Sequence, residues 1–201
     1  MKAVFNPNGY VPKGQFDFFG PFVNSHITKF SEKDLVSDPD LLPDEPLDTE
    51  HGETCPYTES LEELRKLIVE YSWTRPVETV WHHCTGTRIN AKVSAIVNYW
   101  ENVRGWKNPG CHLIVDYGGN WTWLQPFNLP SNGVRGYNLK GLHICYIGGL
   151  DKNGNPTDTR SEKQKIFMET VPKFFKELHP HLTERGHREV SNKSCPCYDV
   201  N

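Results

Sequence analysis

The feature that most restricts this fold is an alternation of helical and strand patterns that begins at residue 60. Leu61, Leu64, Leu67, Ile68 and Tyr71 recur at the spacing of one helix face, and Pro76 closes that element. Just ahead, Ser60 and Glu63 have the spacing of a capping box, which would open the helix at Ser60. Val77 to Cys84 reads as a strand running into the polar turn Thr85-Gly86-Thr87. Ala91 to Val103 reads as a helix that Arg104-Gly105 ends. Cys111 to Tyr117 and Trp121 to Gln125 are short β-rich runs around Gly118-Gly119-Asn120, a hairpin signal. Leu142 to Ile147 is an apolar strand, and Thr159 to Leu178 is the longest helix, with a kink expected at Pro172. Thr183 to His187 reads as the last strand. Strands and helices in turn predict an α/β fold: a single mixed central β-sheet flanked by helices.

Ahead of this block lies a different kind of sequence. Residues 1–30 are aromatic-rich and broken by Pro and Gly. Ser31 to Glu63 holds twelve acids and one base, Lys33, with Pro39, Pro43 and Pro46 inside it. Each interior proline removes a helix donor and clashes with the preceding turn, so 31–58 is expected to be an extended, solvated segment. Residues 1–75 carry seven Lys and Arg against fourteen Asp and Glu, and residues 76–201 carry fifteen against eleven. The division this suggests is an irregular N-terminal extension over 1–75 and a functional domain over 76–201.

Other classes fall away on composition. A net charge of −3 excludes a whole-chain nucleic-acid binder, so no nucleic acid is expected as partner. No run approaches the roughly 20 apolar residues of a membrane span. The start, Met1-Lys2-Ala3-Val4-Phe5-Asn6-Pro7, carries no secretory pattern, which points to a cytoplasm with reduced thiols. Six cysteines at this length do not make a disulfide scaffold.

Metal-ligand chemistry gathers in three places: Trp81-His82-His83-Cys84, Gly110-Cys111-His112, and His187 to Cys197. Zinc takes imidazole nitrogen and thiolate sulfur, and a catalytic site keeps three protein ligands and an open position. One histidine of the first place, with His187 and Cys195 of the third, would supply that set. Strand alternation sends His82 and His83 to opposite faces, so only one of them can serve. Paired CxxC or HxxxH spacings of a zinc finger are absent.

These segments carry a specific resemblance. VWHHCTGTR at 80–88, GW at 105–106, GCHLIVDYGGNW at 110–121, GYNLKGLHICYIGGLD at 136–151 and HREVSNKSCPCYD at 187–199 resemble the zinc-dependent N-acetylmuramoyl-L-alanine amidases of the amidase-2 family. That family includes short phage lysozymes that cut amides, and the related peptidoglycan recognition proteins. The resemblance spans about 120 of the 201 residues, from Val80 to Asp199. It implies that Zn2+ is the cofactor, held by His83, His187 and Cys195, and that Lys193 is catalytic. Cys111 falls where some members place a catalytic tyrosine, and Cys145 lies in the strand where another branch uses a glutamate. A thiol at Cys111 would bind metal, shuttle protons or pack, and packing is favoured.

The implied reaction is hydrolysis of the amide between N-acetylmuramic acid and L-alanine in bacterial peptidoglycan. Zinc lowers the pKa of its bound water from ~16 toward ~7, and Lys193 would stabilise charge on the amide oxygen. Protonation of the leaving amine falls to His82, His112, His143 or Tyr137, among which the sequence does not choose. Trp121, Arg135 and Tyr137 are candidate substrate-binding residues, with core packing the plainer reading of the tryptophan. The resemblance implies a phage endolysin, a monomer, acting on the wall after release from the host cytoplasm. The alternative is a non-catalytic peptidoglycan-binding, virion or regulatory protein on the same fold.

Overall fold

Five strands form one mixed sheet in the computed structural model, which describes residues 56–200. The aromatic-rich start and most of the acidic, proline-bearing segment lie outside the described residues. Strand β1 is Thr79–Cys84, β2 Leu113–Val115, β3 Trp121–Trp123, β4 Gly141–Tyr146 and β5 Thr183–Gly186. Their spatial order is β3-β2-β4-β1-β5. β1 runs parallel to both β4 and β5, β2 runs parallel to β4, and only the edge strand β3 is antiparallel. In register, His83 of β1 stands beside Cys145 of β4, and Trp81 beside His143.

Helices cover both faces, as the alternation predicted. Helix α1 (Pro56–Glu70) and helix α3 (Glu162–Leu178) pack together on one face. Their Leu61, Leu64, Ile68, Phe167, Val171 and Phe175 join Val80, Leu113, Leu142, Ile144 and Tyr146 of the sheet in the main core. The line drawn at residue 75 thus falls between α1 and β1, two elements that share one core. Helix α2 (Val93–Asn98), which continues into a π-helical turn at Tyr99–Val103, lies over the opposite face. There Ile96 packs with Cys111, Ile114, Leu124, Cys145 and Ile147.

Local chemistry fixes the ends. Ser161 and Gln164 form the capping box of α3. Pro172 lies inside that helix without ending it. The capping box expected at Ser60 is corrected: α1 already begins at Pro56, and Ser60 accepts hydrogen bonds from the Trp121 indole at its carbonyl (3.1 Å) and hydroxyl (2.8 Å). The hairpin between β2 and β3 closes where Asp116 accepts the Asn120 amide and Gly119 takes φ +87°, a left-handed conformation that glycine adopts without strain. No helix among the described residues is long and apolar enough to cross a membrane.

Candidate metal centre

The C-terminal ends of neighbouring parallel strands are where α/β sheets bring loops together. Here β1 ends in His82, His83 and Cys84, and β5 ends at Gly186, which delivers His187 as the first residue of a 3-10 turn (His187–Val190). Alternation separates the two histidines of β1. His82 faces α3, with Nδ1 2.7 Å from the Tyr198 hydroxyl and Nε2 3.2 Å from Glu184 Oε2. His83 faces the other side, where its ring centroid is 4.9 Å from that of His187 and its Nδ1 is 3.6 Å from Cys195 Sγ.

Three fixed contacts bring Cys195 to this place. The Arg188 amide donates to the Cys195 carbonyl (2.6 Å), the Cys84 amide donates to Cys195 Sγ (3.3 Å), and the Tyr146 hydroxyl donates to the Pro196 carbonyl (2.8 Å). The ligand atoms of His83, His187 and Cys195 all lie within 4.8 Å of one another.

These groups fit a zinc ion. At tetrahedral angles, a nitrogen ~2.0–2.1 Å and a sulfur ~2.3 Å from zinc stand ~3.5 Å apart. The His83–Cys195 separation of 3.6 Å matches that edge. Burial holds the His83 imidazolium well below the usual histidine range, and repulsion from His187 and Lys193 adds to it. Burial, with help from the Lys193 charge, holds His187 down at about 4. Both rings are therefore neutral near pH 7 and have a lone pair for a metal. The Cys84 peptide N–H aimed at Cys195 Sγ braces the sulfur in its place beside the two rings.

The remaining sequence candidates are placed as follows. Lys193 is exposed, on the loop that joins His187 to Cys195. Cys111 is 1% exposed, and its thiol meets that of Cys145 inside the small apolar cluster. Trp121 is also a core residue, 5% exposed, with its indole N–H committed to Ser60, so it presents no surface to a ligand. Arg135 is exposed, and Tyr137 is half-exposed with its ring 5.2 Å from that of Trp81, a neighbour of His83 on its face.

Of the four groups considered for proton delivery, three are held elsewhere. His82 is on the far face. His112 is buried between the Leu129 carbonyl at Nε2 (2.9 Å) and the His143 amide at Nδ1 (3.0 Å). His143 is fully buried, with Nδ1 3.0 Å from His83 Nε2. Sequence reasoning had His143 only as a proton donor and missed this contact. Its one signal was a histidine inside the apolar run Leu142-His143-Ile144-Cys145.

No protein-family model matches the chain, but individual known proteins resemble it in sequence or in fold. The endolysin of Enterobacteria phage K11 is 25% identical over 133 residues, which is 66% of this chain and 88% of that protein. The Ph2119 endolysin, from a Thermus scotoductus bacteriophage, superposes with a TM-score of 0.52 at 23% identity, over 65% of this chain and 81% of its own. The N-acetylmuramoyl-L-alanine amidase LysC from Clostridium intestinale gives 0.53 at 18% identity, over 65% and 87%.

Proposed function

We infer that this chain, which shares the fold of the N-acetylmuramoyl-L-alanine amidases, is a zinc-dependent amidase of the amidase-2 type and a phage endolysin. It hydrolyses the amide between N-acetylmuramic acid and L-alanine in peptidoglycan, and it reaches the cell wall after release from the host cytoplasm. The observation that carries this is the meeting of His83, His187 and Cys195 on a fold and sequence background shared with endolysins.

Zinc in this set would supply Lewis-acid activation of water and of the amide carbonyl. The chain's own groups do the rest. His83 and His187 offer neutral nitrogens, and Cys195 offers a sulfur braced by the Cys84 amide. Lys193 brings a positive charge close enough to depress both histidines. As water adds to the amide, negative charge gathers on the carbonyl oxygen, and the Lys193 ammonium stabilises it. With His82, His112 and His143 buried and engaged, the exposed groups left to protonate the departing amine are the Lys193 ammonium and the Tyr137 hydroxyl. Arg135 and Tyr137, exposed before β4, are suited to the carboxylates and sugar face of the substrate.

Digestion of purified muropeptides tests this. The expected result is release of peptides that begin with L-alanine, abolished by a chelator and restored by zinc. Intact muropeptides with zinc-loaded protein would leave only a binding protein on this fold. Cleavage unaffected by full metal removal would remove zinc from the reaction.

A further inference from the structure

His143 lies in the middle of β4 with none of its surface exposed. Its Nδ1 is 3.0 Å from His83 Nε2, and among the described residues its own Nε2 has no hydrogen-bond partner. The ring stacks on His112 with centroids 5.7 Å apart and planes 11° from parallel. Room for it depends on two glycines. A Cβ built at Gly133 would stand 2.1 Å from His143 Nδ1, and one at Gly141 would stand 2.6 Å from Nε2. A polar ring has thus been given a shaped slot in the core, and its side-chain hydrogen bond goes to a candidate zinc ligand.

The geometry points to His143 as the positioning residue of the metal centre: its Nδ1 accepts a hydrogen bond from His83 Nε2–H and leaves His83 Nδ1 facing His187 and Cys195. This rests on the zinc reading above. A neutral imidazole carries one N–H, and a metal on one nitrogen places that proton on the other. With Cys195 Sγ on the Nδ1 side of His83, the Nε2–H needs a buried acceptor, and His143 Nδ1 is at hydrogen-bond distance. The opposite tautomer would put the His83 proton on Nδ1, against the sulfur, and close the site to a cation.

The test is zinc affinity of the full chain, by competition with a chromophoric chelator, for wild type, His143→Asn and His143→Leu. Asparagine places an oxygen near the position of Nδ1, and leucine removes the acceptor. The expected result is a loss of ~10- to 100-fold for leucine and largely restored affinity for asparagine. A 15N-histidine tautomer spectrum of zinc-loaded wild type should show His83 protonated at Nε2. Leucine affinity equal to wild type, or His83 protonated at Nδ1, overturns the proposal while leaving the zinc site intact. Equal loss in both variants of unchanged melting temperature also overturns it. Wild type that binds no zinc overturns the metal reading itself. Should the leucine variant fail to fold, the wild-type spectrum and the asparagine affinity still decide.

Discussion

His83 Nδ1 and Cys195 Sγ lie 3.6 Å apart although they are 112 positions apart in the chain. Parallel pairing of β1 with β5, and the loop folded back by the Arg188, Cys84 and Tyr146 hydrogen bonds, produce that closeness. The site is therefore a product of topology, and the predictions below separate its ligands from its neighbours.

Lys193 is exposed and bonds no metal in this account. Lys193→Ala should keep one zinc per chain and lose at least ~100-fold in kcat, the loss typical of removing one donor to a developing oxyanion. Metal analysis beside muropeptide kinetics checks it, and near-normal turnover would take the lysine out of the mechanism.

Cys111 packs against Cys145, Ile114 and Ile96. Cys111→Ser buries a hydroxyl in that cluster and should cost ~1–3 kcal/mol of stability. Turnover of the folded protein should stay unchanged. A tenfold fall in kcat at full zinc occupancy would return the thiol to the chemistry.

Trp121 donates its indole N–H to Ser60 and so ties β3 to α1. Trp121→Phe should lower stability by ~1–2 kcal/mol through the lost hydrogen bonds. KM for muropeptide should not move, and a raised KM with unchanged stability would make Trp121 a substrate contact.

Glu184 reports on the far face of the sheet. Contact with His82, aided by Lys176, holds its carboxyl at about 2, against an ordinary value of 4.5. The folded value lies below the unfolded one, so its contribution is complete above pH ~4.5 and is lost as pH falls toward 2. That contribution is ~2 kcal/mol after allowance for partial exposure. Melting curves of wild type and Glu184→Gln should differ at pH 6 and converge near pH 2. A constant gap across that window would contradict the ionic origin.

Much of this was legible in the sequence because local signals agreed. The helical spacing of Leu61, Leu64 and Ile68, the long helix that runs to Leu178 and the Gly119 turn each depend on near neighbours, and each element appears where its pattern lies. The capping spacing at Ser60 misled because a tertiary partner, the Trp121 indole, takes the hydroxyl. Alternation showed that His82 and His83 must part, but the face each takes depends on helix packing. The contact between His143 and His83 depends on parallel register between β1 and β4, which sequence periodicity does not encode.

Anomalous diffraction from a crystal of the zinc-loaded chain, recorded on both sides of the zinc absorption edge, tests the central claim most directly. The account predicts one anomalous peak bonded to His83 Nδ1, an imidazole nitrogen of His187 and Cys195 Sγ. A zinc peak elsewhere, or these three side chains turned apart with no peak between them, would contradict it.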